Sequence, residues 1–232
     1  MGTIRIHTLE GDGAFDAYVA EPDGSPRAAI VVIQEIFGVN EGIRLKCDHW
    51  AERGYLALAP DLFWRLQPGV ELDPDVPDEF RQALDLMGGF DQDQGVSDIE
   101  ATIRAARARL GEDGKVGVVG YCLGGRLAYM TAARTDADAS VGYYAVGLPN
   151  ILHEKNAIAN PLMLHIAGAD HFVDEAAQRA MHEGLDDHPR VTLHDYPGED
   201  HGFAAEMGQR RSAAAAELAD RRTEEFFERN LG

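Results

Sequence analysis

The chain has 232 residues, 45% of them hydrophobic, which is enough apolar material for one globular domain over residues 1–232. Its 21 Lys and Arg against 40 Asp and Glu give a formal net charge of -19, and a surface of that sign repels nucleic acid and anionic membranes, so neither is a predicted partner. Two cysteines are too few for a disulfide framework, and neither a signal peptide nor an 18-residue apolar run is found, so a cytoplasmic protein is predicted.

The first predicted elements are a hairpin, a buried strand, a helix and a second buried strand. A Gly11-Asp12-Gly13 turn separates the two arms of the hairpin. The buried strands are uninterrupted apolar runs, typical of strands covered on both faces, and Asn40 is the predicted N-cap of the helix. In chain order these elements are predicted at residues 4–7, 14–20, 28–33, 41–53 and 55–59.

An irregular excursion follows at residues 60–97, where Pro68, Pro74 and Pro77 break the periodicity around one helical stretch at residues 78–87. Irregular segments of this length in compact domains tend to be functional, so the excursion is predicted to form a wall over a site. The alternative is a surface segment that packs its own aromatic side chains.

The second half of the chain alternates helices with strands. A capping box at residues 97–100 predicts the start of a helix that ends at Leu110. Such alternation predicts an α/β fold, a three-layer α/β/α sandwich with a mostly parallel central sheet. The further strands are predicted at residues 116–120, 139–145, 161–167 and 191–196, and the further helices at 123–134, 175–185 and 210–229.

Cys122 lies where a predicted strand turns directly into a helix. Gly120 and Gly124 flank it two positions away on either side, as a nucleophile elbow requires where strand and helix approach closely. This corner would hold the thiol clear of the sheet at a helix N-terminus, where the partial positive charge favours a thiolate. The alternative for Cys122 alone is a small buried hydrophobic residue.

Four chemically suggestive side chains follow predicted strands. Ligand sites of open parallel sheets lie beyond the carboxyl ends of the strands, and Glu35, Cys122, Asp170 and His201 all fall there. The order cysteine, aspartate, histidine is that of α/β-hydrolase triads. This order favours a catalytic Cys122 over a structural one.

The chemistry predicted for these residues is acyl transfer through a thioester. Cys122 attacks the acyl carbon, His201 accepts and returns the proton, and Asp170 orients the imidazole. The backbone N–H groups of Ile36 and Leu123 are the predicted oxyanion-hole donors.

Some of these assignments have alternatives. Glu35 is either a base that removes the thiol proton or a surface residue near the first helix. The nine histidines show no metal-ligand spacing, so neither a metal nor another cofactor is predicted. The less well placed alternatives are His171 and His194 for the base, and Asp174 and Asp200 for the acid.

Six short segments form a specific combination that is spread over nearly the whole chain. They are QEIFGVN at residues 34–40, APDL at 59–62, GVVGYCLGG at 117–125, GYY at 142–144, GADHFV at 168–173 and HGF at 201–203. With them the chain resembles the dienelactone hydrolase family, the carboxymethylenebutenolidases, which are cysteine-dependent members of the α/β-hydrolase fold.

The resemblance implies roles for individual residues. Cys122, Asp170 and His201 match the triad of the family. Glu35 matches its activating glutamate, which is held near the thiol and released on substrate binding. The matched oxyanion-hole and pocket positions are Ile36, Leu123, Phe37 and Tyr144.

The match fails at the two arginines with which dienelactone-cleaving members hold the substrate carboxylate. Ala205 occupies one position and Phe80 the other, with Arg81 and Arg65 as candidate substitutes. Because such a buried contact is worth about 2–5 kcal/mol, a more apolar ester or lactone is expected in place of dienelactone.

The sequence therefore predicts a cofactor-independent, cysteine-nucleophile hydrolase of small esters or lactones, acting as a monomer or small homo-oligomer. Two other hypotheses are a non-catalytic small-molecule binder or thiol sensor on the same fold, and an acyltransferase that uses an alcohol or amine instead of water.

Overall fold

The strands assemble into one central sheet. In the computed structural model, which describes residues 1–11, 13–111 and 113–232, the strands are β1 (Gly2–His7), β2 (Ala14–Ala20), β3 (Ala29–Ile33), β4 (Leu56–Pro60), β5 (Val116–Tyr121), β6 (Ala139–Tyr143), β7 (Leu162–Ala167) and β8 (Val191–Tyr196). Over these ranges they form an eight-stranded sheet in the order β1-β2-β4-β3-β5-β6-β7-β8. Strands β3 to β8 run parallel, and β1 and β2 are the antiparallel additions at one edge.

Helices pack on this sheet and confirm the predicted three-layer α/β/α class. They are α1 (Glu41–Glu52), α2 (Pro77–Gly89), α3 (Gln92–Leu110), α4 (Leu123–Arg134), α5 (Glu175–Leu185) and α6 (Ala213–Leu231), and a 3₁₀ helix at Leu148–Ala157 was not predicted. Within the described residues, no helix combines the length and the apolar character needed to cross a bilayer.

Burial explains why the strand predictions succeed. Every residue of β3, β4, β5, β6 and β7 is buried, so uninterrupted apolar runs are what these positions require. Strand β8 lies at the edge of the sheet and is only partly buried.

The opening hairpin is confirmed. Strands β1 and β2 pair antiparallel from Gly2 opposite Val19 to His7 opposite Ala14. The predicted turn between them includes Asp12, which lies outside the described residues.

The N-cap of the first helix is also confirmed. The Asn40 side chain accepts a hydrogen bond from the Ile43 N–H at 3.2 Å. Asn40 also donates to the Leu72 carbonyl at 3.0 Å, and the Leu72 N–H donates to the Phe37 carbonyl at 2.9 Å. The same residues thus tie the excursion after β4 to the loop after β3, at the carboxyl ends of the strands.

The capping box predicted at residues 97–100 is wrong, because α3 begins at Gln92. The Asp91 carboxylate caps the helix by accepting from the Asp93 and Gln94 N–H groups at 3.0 and 3.1 Å. Glu100 lies inside the helix and pairs with Arg104 one turn later. The last residues of the predicted irregular excursion are therefore helical.

Candidate active site

Cys122 forms the corner between β5 and α4. Its backbone dihedrals are φ 57° and ψ -113°, which is a strained conformation for a residue with a side chain. A Cβ on Gly124 would lie 2.5 Å from the Ile33 carbonyl oxygen, and one on Gly120 would collide with the Gly124 carbonyl. The two glycines therefore let strand and helix approach as closely as the predicted elbow requires.

A cavity of about 220 Å³ opens beside Cys122 at the carboxyl ends of the strands. Its wall combines loops after β3, β5, β6, β7 and β8 with helix α2, so the excursion contributes to the cavity. Apart from Cys122, His201 and Arg210, the lining side chains are apolar. They are Ile36, Phe37, Phe80, Leu84, Met87, Val146 and Phe172.

His201 and Asp170 form a buried pair in the loops after β8 and β7. The Nδ1 atom of His201 lies 2.8 Å from Oδ2 of Asp170, and both side chains are almost fully buried. The other oxygen of Asp170 accepts from the Phe172 N–H at 2.8 Å. His201 lines the cavity, and its Nε2 atom has no hydrogen-bond partner among the described residues. This nitrogen is available for proton transfer.

The charge state of His201 is shifted by its surroundings. Burial alone would lower the pKa of His201, but the charge of Cys122 and the hydrogen bond to Asp170 outweigh burial and raise the pKa to about 10. The site therefore stabilises the protonated imidazolium form of His201.

The alternative acids and bases lie elsewhere. His171 and Asp200 pair with each other at 2.7 Å, and both are exposed. Asp174 caps α5 by accepting from the Ala177 N–H at 2.8 Å. His194 lies in β8 and stacks on the ring of His165.

Among the described residues, one group of side chains could hold a metal ion, and it includes Asp170. Asp170, His171 and Asp200 place one ligand atom each within 4.8 Å of one another. Asp170 already accepts from His201, and Asp200 from His171. Hydrogen bonding thus accounts for this cluster.

Glu35 pairs with Arg210, a residue that the sequence analysis did not assign to the site. Its carboxylate pairs with Arg210, with Nη2 to Oε2 at 3.2 Å. Burial lowers the pKa of Arg210, but the Glu35 carboxylate outweighs burial and raises it. The guanidinium lies 5.5 Å from the centre of the Phe37 ring. Glu35 is buried, so its alternative as a surface residue is wrong.

The predicted oxyanion-hole residues flank the cavity from two loops. Ile36 lines it directly, and Leu123 is the first residue of α4. The first N–H groups of a helix have no acceptor within the helix, so the Leu123 N–H is suited to binding an oxyanion. The role of both amides remains a prediction.

The predicted substrate-binding residues divide into two groups. Phe37 and Phe80 line the cavity and pack on each other at 5.7 Å. Tyr144 lies behind the site, with its ring 5.0 Å from the His201 ring, and lines a separate cavity of about 10 Å³. Arg81 is largely exposed and pairs with Asp78, so the structure does not bring it to the cavity.

Comparisons with known proteins bear on the family and the fold of this chain. A family model described as the dienelactone hydrolase family matches residues 15–231. A protein of Azospirillum brasilense is 46% identical over 95% of this chain and 96% of its own length. A carboxymethylenebutenolidase of Pseudomonas putida is 40% identical over 97% of this chain and 94% of its own. A solved structure from Klebsiella pneumoniae subsp. pneumoniae has a TM-score of 0.83 at 24% identity, covers 97% of this chain and 98% of its own, and supports the fold alone.

Proposed function

Because the chain belongs to the dienelactone hydrolase family and is a hydrolase of carboxylic esters or lactones, we propose that Cys122 is its nucleophile, with His201 and Asp170 as the proton-transfer pair. One observation carries the proposal. The buried His201–Asp170 pair shares the wall of an apolar cavity with a cysteine on a strained strand-to-helix corner. A sensor thiol would not need this proton-transfer pair.

The proposed reaction has two steps. The Cys122 thiolate attacks the carbonyl carbon, a sulfur–carbon bond forms, and the Ile36 and Leu123 N–H groups bind the oxyanion. Collapse breaks the carbon–oxygen bond, and the leaving oxygen takes the proton from Nε2 of His201. Water, deprotonated by His201, then attacks the thioester, releases the carboxylic acid and returns Cys122 as the thiolate. When the substrate is a lactone, acid and alcohol leave as one hydroxy acid or its keto form.

Glu35 is proposed to control the proton on the thiol. Its carboxylate is held by Arg210 at 3.2 Å, and Arg210 lines the same cavity as Cys122. A substrate anion that binds Arg210 would release Glu35, which could then take the thiol proton as a base. This role follows the match to the activating glutamate of the family.

The cavity indicates a small and largely apolar substrate. Its volume of about 220 Å³ and its aromatic and aliphatic lining suit a compact acyl group or a lactone ring. Arg210 is a cation at the wall that the positions of Phe80 and Ala205 did not suggest. The name of the relatives refers to a butenolide lactone with a carboxymethylene group, and Arg210 is the residue that such a carboxylate would contact.

The test is turnover of a panel of small esters and lactones by the Cys122→Ala variant. We expect kcat/KM to fall by at least about 1,000-fold, because no group replaces the nucleophile. Cys47→Ala is the matched control, since Cys47 is the other buried cysteine and lies in α1 away from the cavity. With an activated ester whose leaving group departs without a proton, the mass of the His201→Ala variant should rise by one acyl group on Cys122, since deacylation still needs the base.

Retained turnover in Cys122→Ala, or equal losses in both cysteine variants, would reject the proposal. Binding of the same panel without turnover would favour a binder or thiol sensor. Added alcohols or amines test the third hypothesis, because an acyltransferase would form new esters or amides in place of the free acid.

A further inference from the structure

A line of side-chain hydrogen bonds crosses the sheet directly behind the catalytic loops. We call it the hydrogen-bond chain, and its core is buried between β6, β7, β8 and α6. Its five contacts are Arg222 Nη1 to Tyr196 Oη at 3.1 Å, Tyr196 Oη to His165 Nδ1 at 2.7 Å, His165 Nε2 to Thr223 Oγ1 at 2.9 Å, Thr223 Oγ1 to Tyr143 Oη at 2.7 Å, and Tyr143 Oη to Asp220 Oδ1 at 3.1 Å.

The acceptor end of the hydrogen-bond chain sets the direction of every contact. Asp220 also pairs with the Lys46 ammonium at 3.3 Å, and a carboxylate only accepts, so the Tyr143 hydroxyl must donate to it. With its one proton used, Tyr143 must accept from the Thr223 hydroxyl. Thr223 in turn must accept from Nε2–H of His165.

The histidine continues the same direction. Burial holds the pKa of His165 well below its usual range, so the ring is neutral and carries one proton. With that proton on Nε2, Nδ1 must accept from the Tyr196 hydroxyl. The Tyr196 oxygen then accepts from Arg222, which only donates. Every shared proton therefore has one position that satisfies all six side chains.

Two strand residues of the hydrogen-bond chain, Tyr143 and His165, accept hydrogen bonds from the backbone beside the site. The Tyr143 carbonyl accepts from the Cys122 N–H at 3.1 Å, directly at the elbow. The His165 carbonyl accepts from the Tyr144 N–H at 2.8 Å, and the Tyr144 ring packs on the His201 ring at 5.0 Å.

The third strand residue supports the loops of the acid and the base. The Tyr196 carbonyl accepts from the Gly168 N–H at 3.0 Å, two residues before Asp170. The Tyr196 ring packs at 4.8 Å on Phe203, two residues after His201. All three triad loops are thus fastened to strand residues whose side chains form the hydrogen-bond chain.

We propose that the hydrogen-bond chain positions the catalytic triad, with His165 as the central positioning residue, held as the neutral Nε2–H tautomer between Thr223 and Tyr196. None of these side chains lines the cavity, so they act through Cys122 and His201 and not on the substrate. The proposal rests on the proposed function for its catalytic effect, but the tautomer itself does not depend on turnover.

The first test is histidine NMR on the unaltered protein. With ¹⁵N-labelled histidine we expect His165 to show a proton bonded to Nε2 and a bare Nδ1 at neutral pH. A proton on Nδ1, on both nitrogens or exchanging between them would overturn the proposal. The tautomer of His165 can be measured whether or not Cys122 is the nucleophile, so failure of this proposal can be distinguished from failure of the proposed function.

The second test uses three threonine variants. Thr223→Val keeps the volume but removes the acceptor for His165 and the donor to Tyr143, so we expect kcat to fall about tenfold with KM within about twofold, as a small misplacement of the triad would cause. Thr223→Ser should restore kcat. Thr131→Val is the matched control, because this buried hydroxyl has no hydrogen-bond partner in the described parts of the chain.

Equal kcat values for Thr223→Val and Thr131→Val would overturn the positioning role. So would a loss in Thr223→Val that Thr223→Ser does not restore. If Thr223→Val does not fold, comparing kcat and the His165 tautomer between Thr223→Ser and the unaltered protein decides the outcome, since both should be preserved.

Discussion

Backbone strain at single residues is concentrated at the candidate site. Among the described residues, Cys122 and Tyr144 are the non-glycine residues with positive φ, at 57° and 37°. Such conformations cost on the order of 1–3 kcal/mol each and persist only where the surroundings hold them. Both residues sit just beyond adjacent parallel strands, one bearing the thiol and the other backing His201. Holding these two residues in strained conformations therefore lowers the stability of the fold while it orients their side chains.

The raised pKa of His201 predicts an alkaline limit to activity. Below its pKa of about 10 the imidazolium keeps its proton for the leaving oxygen, and above that pH the proton is lost. We expect kcat/KM to fall by about tenfold for each pH unit above about 10. The measurement is a pH–rate profile with a neutral ester, with the Cys122→Ala rate subtracted as the alkaline background.

Asp170→Asn is the control variant for this profile. Because it removes the charged acceptor at Nδ1, the pKa of His201 should fall and the alkaline limb should move to lower pH. An alkaline limb that stays in place in Asp170→Asn would contradict the assignment of that limb to His201.

Single residues also show what the sequence could predict of the site. The placement of Cys122, Asp170 and His201 at one site was predictable because each follows a strand that the apolar pattern marks clearly. Arg210 was not, because it lies in an irregular segment nine residues beyond His201 and reaches the cavity only through the path of that loop. Arg81 was chosen for its place in the sequence, but the helix presents it to solvent beside Asp78.

At the scale of elements, helix α2 brings the excursion to the site. Phe80, Leu84 and Met87 recur at helical spacing on one face, and all three line the cavity. The helix itself was predicted from residues 78–87. Periodicity marks an apolar face without saying what it covers, so the prediction that Phe80 faces the substrate depended on the family resemblance.

This helix provides a prediction about substrate affinity. Phe80→Ala should raise KM for apolar esters by about tenfold, equivalent to about 1.4 kcal/mol, because the ring forms part of the wall and packs on Phe37. Arg81→Ala, one position along the same helix, should leave KM within about twofold. Steady-state kinetics on both variants checks this, and a larger effect from Arg81→Ala would contradict the placement of the cavity.

The start of α3 shows how a helix boundary can be mispredicted. The sequence predicted a start at the capping box of residues 97–100, but Asp91 caps the helix six residues earlier. Nothing in residues 92–97 breaks a helix as proline would, so the helix extends back to the first side chain that satisfies its N–H groups. For α4 and α5, the predicted and observed bounds agree.

The charge of the whole molecule opposes the binding of an anion at its cavity. A net charge of -19 produces a negative potential over the surface, whereas the cavity wall carries the Arg210 cation, which is paired with Glu35. The negative surface therefore repels a substrate carboxylate at long range, and Arg210 attracts it only once it is inside the cavity. Salt screens the long-range repulsion more effectively than the contact inside the cavity.

We therefore expect kcat/KM for an anionic lactone to rise with ionic strength. Going from about 10 to about 150 mM NaCl shortens the Debye length from about 30 to about 8 Å, and removing about one kT of repulsion corresponds to a gain of about threefold. The neutral methyl ester of the same lactone is the control and should stay unchanged. A fall in kcat/KM for the anion would mean that attraction by Arg210 outweighs the field of the whole surface, and equal responses of anion and ester would mean that the field does not reach the cavity.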